Sequence, residues 1–210
     1  MSKFVILLGG PIVPTKRLLA QVKNARVLAA DGGMAHAKML GLEPELWLGD
    51  FDSASLELQK EFAHVSRQTF PVEKDATDGE LAISHALREG ADELLLVGGF
   101  GGQFDHALAH AGFLLALAKR GLNATMTSGN EEAQALFGDV TLNDLALNTR
   151  LSIVPLSDLA GLTISGVKWP LKNRAVPLGS ALTLSNITTG VVELSLRAGS
   201  AIIITYPEQP

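Results

Sequence analysis

The sequence predicts an α/β fold in which an N-terminal, mostly parallel sheet flanked by helices precedes a C-terminal antiparallel β-sandwich. Three observations predict it. Up to about residue 130, short apolar runs alternate with longer helical stretches, the pattern of a parallel sheet with helical crossovers. Beyond that point the helical period gives way to alternation of apolar and polar residues, the signature of half-buried strands. Glycines then punctuate the chain at 161, 166, 179, 190 and 199, where turns are expected. The expected domains are 1–130 and 131–210, with the boundary near 128–132.

In chain order, Phe4-Val5-Ile6-Leu7-Leu8 reads as a buried strand ended by Gly9-Gly10-Pro11. Arg26-Val27-Leu28-Ala29-Ala30 is a second, ended by Asp31-Gly32-Gly33, and Leu46-Trp47-Leu48 a third. A weaker fourth lies near 65–70. Leu94-Leu95-Leu96-Val97 is a strong fifth, ended by Gly98-Gly99-Phe100-Gly101-Gly102, and 122–127 is a sixth. Helices are expected over 78–89 and 104–119; in the latter Leu108, Ala111, Leu115 and Ala118 fall on one face. In the second half, Val192, Leu194 and Leu196 alternate with Glu193, Ser195 and Arg197. Leu182 and Leu184 alternate with Thr183 and Ser185 in the same way, and 201–205 is a further strand.

Composition narrows the function classes. Of 210 residues, 47% are hydrophobic and 19% charged, which describes a chain able to bury a core. With no cysteine, disulfides, thiolate metal sites and cysteine nucleophiles are excluded. A net charge of −5 argues against nucleic-acid binding, which rests on clustered Lys and Arg. No apolar run is long enough to span a bilayer, and no signal-peptide pattern opens the chain. A cytoplasmic address is expected.

The chemistry gathers at the strand ends. Open α/β sheets bind ligands outside the carboxyl ends of their strands. Here Asp31 follows the second strand, and Asp50 and Asp52 follow the third within Gly49-Asp50-Phe51-Asp52-Ser53. Lys74, Asp75 and Asp78 follow the fourth, and the glycine-rich turn with Asp105 follows the fifth. If the third strand runs on, period two points Asp50 and Asp52 the same way, and a divalent cation is the simplest reason to hold two repelling carboxylates together. Each acid also has a local reading. An Asp after a strand commonly caps a helix, and Thr77-Asp78-Gly79-Glu80 has capping-box spacing that would make Asp78 a first-turn charge. Phe51 reads as core. The turn 98–102 ahead of a helix offers backbone N–H groups to an anion, or is a tight connection and nothing more. His106 and His110, one helical turn apart, lack a His-Glu-x-x-His setting and read as ordinary helix residues. Carboxylate-held Mg²⁺ beside a glycine-rich anion site describes phosphoryl or pyrophosphoryl transfer from a nucleotide.

At these residues the sequence resembles the thiamine pyrophosphokinase family. The matching pieces are Ala30-Asp31-Gly32-Gly33, Gly49-Asp50-Phe51-Asp52-Ser53, Asp75-Ala76-Thr77-Asp78 and Gly98 through Asp105, with Val167-Lys168-Trp169 and Leu184-Ser185-Asn186 in the β-rich half. The resemblance implies transfer of pyrophosphate from the co-substrate ATP to the thiamine hydroxyl, in a homodimer whose site lies at the subunit interface. By similarity, Asp50, Asp52 and Asp78 hold Mg²⁺, and Asp50, Asp78 and Asp105 serve catalysis. Asp31, Lys74, Thr77, Gly101, Gly102 and Gln103 lie along the nucleotide and phosphates. Ser185 and Asn186 recognise thiamine, and Trp169 either lines that site or is a buried sandwich tryptophan. Two departures stand out: Gln103 occupies the position of a usual Arg and cannot supply its charge, and Pro170 replaces a common Asn. Alternatives from the residues alone are a pyrophosphokinase for another heterocyclic alcohol such as a pterin, a haloacid-dehalogenase-like phosphatase using Asp50 as nucleophile and Asp52 as acid, and a nucleotide or thiamine sensor without turnover.

Overall fold

The computed structural model describes residues 2–52, 54–70 and 75–207. The chain divides into two compact units, Met1–Ala107 with Leu122–Gly129 and Leu108–Gly121 with Asn130–Pro210. In the first, β1 (Lys3–Leu7), β2 (Arg26–Ala30), β3 (Leu46–Gly49), β4 (Ser66–Thr69), β5 (Glu93–Val97) and β6 (Asn123–Thr127) form one parallel sheet. Their order is β4-β3-β2-β1-β5-β6. The apolar runs of β1, β2, β3 and β5 are almost wholly buried, as strands covered on both faces must be.

On one face Val5, Leu7, Val27, Ala29, Trp47, Leu95 and Val97 form a cluster with Leu18 of α1 (Lys16–Gln21), Ala37 and Leu40 of α2 (Ala35–Leu40), and Phe62 just after α3 (Leu56–Glu61). Side chains alternate along a strand, so Phe4 and Ile6 point to the other face. There α4 (Asp78–Arg88) packs against β1, β2 and β3, burying Ala82, Ile83 and Ala86. Each fully buried Leu, Ile or Phe contributes about 1.5–3 kcal/mol. Thr15, Ser55 and Thr77 cap α1, α3 and α4 by accepting the backbone N–H three residues on.

Strand order reverses between β1 and β5, the switch point where such sheets form their ligand crevice. The two loops leaving it are locked together. Gly10 donates its N–H to the Gly98 carbonyl at 2.9 Å, and a Cβ on either glycine would collide with backbone carbonyls of the other loop. His36 of α2 donates from Nε2 to the Gly10 carbonyl at 2.8 Å.

The last helix, α5 (Phe104–Lys119), has the expected extent but a different inner face. Its buried residues are His110, Leu114 and Leu117, while Leu108 is 54% exposed. The helix is apolar nearly all round, so its period leaves the buried stripe undefined.

In the second unit every pairing is antiparallel. The strands are β7 (Glu132–Leu136), β8 (Asp139–Leu142), β9 (Arg150–Pro155), β10 (Leu159–Val167), β11 (Leu171–Val176), β12 (Asn186–Ser195) and β13 (Ala201–Tyr206). β13 lies between β7 and β9; β12 pairs with β9 through Asn186 and Ile187, and along its remainder with β10 and β8. Leu136, Leu151, Ile153, Leu162, Ile164, Val192 and Leu194 fill the core between these strands. Gly166 has φ +71° beside a register shift in β10, and a Cβ there would strike the Val191 carbonyl. Such a bulge needs glycine. Residues 182–185 correct a strand expectation. They form a turn in which Leu182 and Leu184 are exposed and Thr183 is buried, its hydroxyl donating to the Ile153 carbonyl at 2.6 Å. The polar residue points inward because that carbonyl accepts its hydroxyl. Among the described residues no helix is long and apolar enough to cross a membrane.

Burial holds the His36 imidazole below its usual pKa of 6.5, outweighing the carbonyls of Gly10 and Leu8, which favour the charged form. Below pH 6.5 the unfolded chain therefore binds a proton that the folded chain refuses, so stability falls as pH drops from 6.5 toward the lower folded value. Urea unfolding across this range should show a loss of at most about 1.4 kcal/mol per pH unit from this group. The His36→Gln variant, which retains a donor for Gly10, should lack that component.

Candidate active site

Asp31 ends β2 and opens a 3₁₀ turn, Asp31–Met34, with φ +43°, a left-handed conformation that a non-glycine residue adopts only under constraint. The constraint is visible. Trp47, fully buried in β3, donates its indole N–H to the Asp31 carbonyl at 2.8 Å. The backbone of Gly49 lies so close that an added Cβ would sit 3.2 Å from the Asp31 Cβ. Asp50 follows directly. Asp78 is the first residue of α4, with Thr77 supplying the cap, so its carboxylate is not the capping group.

One carboxylate oxygen each from Asp31, Asp50 and Asp78 lies within 4.8 Å of the other two. The three residues are half-buried. At such separations each pair of charges repels by about 1 kcal/mol in water and roughly 3–4 kcal/mol at the effective dielectric of a protein surface. The donors are all hard oxygens. Three oxygen donors converging from separate elements form a set that would fit a hard cation such as Mg²⁺.

Asp52 departs from the sequence expectation. β3 stops at Gly49, and Phe51 has φ +64°, so the period of two is broken between the two acids. Asp52 is exposed and lies outside the trio; its backbone N–H donates to Asp50 Oδ1 at 3.3 Å. Its place in the trio is taken by Asp31. Phe51 is half-buried against the core, edge-on to Trp47 with ring centroids 5.0 Å apart.

A cleft of about 480 Å³ opens here, lined by Asp50, Asp75, Thr77, Asp78, Glu80 and His106. Glu80 and His106 are not among the residues that the sequence marks for chemistry. Glu80 reads there as a capping partner, and the one sign that His106 faces the cleft is its position right after Asp105 in the first turn of α5. Asp105 is exposed, outside the trio, and accepts the His106 N–H at 2.9 Å. Gly101 and Gly102 both have φ near +70° and, like Gln103, are exposed at the entrance to α5. Lys74 and Ser53 lie outside the described residues.

Three further candidates belong to the second unit. Trp169 is 54% exposed, which excludes the buried-tryptophan reading, and Lys168 Nζ lies 4.8 Å over its ring. Asn186 is buried and committed to the Trp169 backbone, accepting its N–H at 3.1 Å and donating to its carbonyl at 2.9 Å. Ser185 is exposed with φ +58°, held by donation of its N–H to Ser152 Oγ. Pro170 falls between β10 and β11 and so interrupts no ladder.

The carboxylate trio makes a prediction independent of any ligand. In chelator-treated, low-salt buffer, a double-mutant cycle of Asp31→Asn and Asp50→Asn should give an unfavourable coupling of about 1 kcal/mol between the two charges, whatever other partners each has. The coupling should shrink at high salt. Urea titrations at the two ionic strengths measure it, and a coupling of zero would show that the two carboxylates do not repel within the fold.

Comparison with known proteins follows the division of the chain. Residues 18–126 match the family model "Thiamin pyrophosphokinase, catalytic domain", and residues 140–200 match "Thiamin pyrophosphokinase, vitamin B1 binding domain". A thiamine pyrophosphokinase of Bacillus subtilis (strain 168) is 28% identical over 195 residues, covering 89% of each chain. The crystal structure of a Bacillus subtilis thiamine pyrophosphokinase superposes with a TM-score of 0.88 at 24% identity, over 99% of this chain and 100% of that one. That from Geobacillus thermodenitrificans gives 0.83 at 26% identity, over 100% and 99%. With both models accounting for most of its length, and the first alone for more than half, the chain belongs to the thiamin pyrophosphokinase family, the kinase-type transferases that make thiamine diphosphate from ATP and thiamine.

Proposed function

We propose that Asp31, Asp50 and Asp78 hold Mg²⁺ and that ATP places its phosphates in the cleft beside them. The observation that carries this reading is the convergence of three carboxylates from β2, β3 and α4 within 4.8 Å. When bound, Mg²⁺ neutralises phosphate charge that this acidic cleft would otherwise repel. The turn 98–102 leads into the N-terminus of α5, a setting in which backbone N–H groups and partial positive charge favour an anion. Gln103 adds a neutral donor there, so more of the charge compensation falls to the cation.

In the reaction the thiamine hydroxyl oxygen forms a bond to the β-phosphorus of ATP. The bond from that phosphorus to the bridging oxygen of AMP breaks, and AMP leaves with those electrons. The hydroxyl proton passes to a carboxylate. A carboxylate bound to a cation is a weak base, which lowers the claim of Asp78 and favours Asp75 or Glu80, both in the cleft lining outside the trio. Asp105, in the first turn of α5, supports the phosphate side. For thiamine, Trp169 offers a flat exposed face, Ser185 an exposed hydroxyl, and Asn186 positions the tryptophan; all three lie within the stretch matching the vitamin B1 binding model.

The assay is direct. Purified protein with ATP, Mg²⁺ and thiamine should release AMP and thiamine diphosphate in equal amounts, and substituting a pterin alcohol should give none. Asp31→Asn and Asp50→Asn should each lower kcat at least about 100-fold, as loss of metal-mediated charge stabilisation does. Asp52→Asn should stay within about threefold of the parent, the scale of an exposed charge. Full activity in Asp50→Asn would end the metal-trio reading, and an Asp52→Asn loss equal to that of Asp50→Asn would restore Asp52 as a ligand.

We also propose a homodimer. Leu147, Trp169, Leu178, Leu182, Leu184 and Val191, all in the second unit, are exposed apolar side chains that a partner subunit would cover. Sedimentation velocity should give about twice the chain mass of 22.1 kDa, and Leu182→Glu with Leu184→Glu should shift it toward monomer.

A further inference from the structure

A second cavity, of about 510 Å³, lies between α3 and β4 and is lined by Leu56, Gln59, Lys60, Ala63, Val65 and Arg67. None of these residues contributes to the acidic cleft. Its character is opposite: two cations and three apolar side chains, with no carboxylate in the lining. Leu56 is 76% exposed, so a large apolar side chain stands open to water at this rim. The cations are also uncompensated. Elsewhere in this unit Lys3, Arg26 and Lys38 are ion-paired with Glu93, Glu45 and Glu61. Among the described residues neither Lys60 nor Arg67 has a carboxylate within ion-pair distance. Lys16, Lys23 and Arg88 of the same unit likewise lack an ion pair among the described residues, so what sets Lys60 and Arg67 apart is their position together at one apolar hollow.

We propose that this cavity is a binding site for a small organic anion with an apolar body, such as an aryl or branched-chain carboxylate, sulfonate or phosphate monoester. Lys60 and Arg67 pair with its charge, while Leu56, Ala63 and Val65 cover its body. The volume lies within the range of small-molecule pockets. Arg67 is already partly ordered before any anion arrives, since it donates from Nη2 to the Gln59 carbonyl at 2.6 Å. Its guanidinium carbon lies 4.9 Å from the Trp47 ring centroid and 5.5 Å from that of Phe51. A planar guanidinium held against rings presents its remaining N–H groups in a fixed fork, the geometry that suits an oxyanion. Of these two rings, Trp47 donates to the Asp31 carbonyl and Phe51 follows Asp50, so Arg67 stacks on residues joined to the trio's backbone.

Benzenesulfonate is a suitable probe, being permanently anionic with a flat apolar body. With Mg²⁺ omitted, its titration into the full chain followed by methyl and indole NMR should shift the Leu56 and Val65 methyl signals and the Trp47 indole N–H. The shifts should saturate with a Kd of about 1 mM or tighter. The Trp169 indole should not move. Lys60→Glu, a change on an exposed side chain that leaves the fold intact, should weaken binding at least about fivefold. Benzyl alcohol, which lacks the charge, and sulfate, which lacks the body, should each bind at least about tenfold more weakly. Absence of saturation by about 20 mM, equal binding to Lys60→Glu, or an equal response to benzyl alcohol would each overturn the proposal.

Discussion

Like charges brought within 4.8 Å of one another repel, and the backbone beneath Asp31, Asp50 and Asp78 holds their carboxylates close all the same. The stiffness comes from the sheet. Asp31 and Asp50 leave adjacent parallel strands, β2 and β3, whose register pairs Ala30 with Leu48, so the two acids emerge side by side. The buried indole of Trp47 grips the Asp31 carbonyl, and Gly49 lets the two chains approach more closely than any side chain would allow. Asp78 arrives from the opposite layer, at the first turn of a helix whose inner face is sealed against β1, β2 and β3. A flexible loop would answer the repulsion by moving its carboxylate away; these elements cannot do so cheaply.

The same sheet explains why so many glycines crowd one edge. At the reversal between β1 and β5, Gly10 and Gly98 are packed backbone to backbone, and Gly33 sits against the Leu7 carbonyl where a Cβ has no room. These three serve close approach. Gly101 and Gly102 differ, having open surroundings or only a proline side chain nearby but consecutive left-handed backbones. Their glycine identity is a matter of conformation.

Much of this was legible in the sequence because apolar runs and punctuation carry the fold. The six strands of the parallel sheet, the helices from Asp78 and Phe104, and the shift to antiparallel pairing all follow from period and glycine placement. The family could be read from its motifs in order. What could not be read was direction. Asp52 stands two residues from Asp50 and looked like its partner, but the positive φ of Phe51 turns it away, and no spacing rule encodes a single left-handed residue. Asp31, far upstream in the chain, takes the place because strand neighbours, not sequence neighbours, decide which carboxylates meet. Leu182 and Leu184 misled for a related reason: alternation predicted a strand, yet the Thr183 hydroxyl found the Ile153 carbonyl and reversed the faces. The inner stripe of α5 escaped because a helix apolar all round has no distinguishable side.

The clamp between Asn186 and Trp169 has a consequence for whatever settles on that indole. The amide engages both the N–H and the carbonyl of the tryptophan, as a neighbouring strand would, at a point just beyond the end of β10. The ring is therefore presented to solvent on a main chain that is already immobile. Restricting a backbone residue costs on the order of 1–2 kcal/mol of entropy, and at Trp169 that loss has been taken during folding. A planar guest arriving there gives up its own freedom and asks little more of its host.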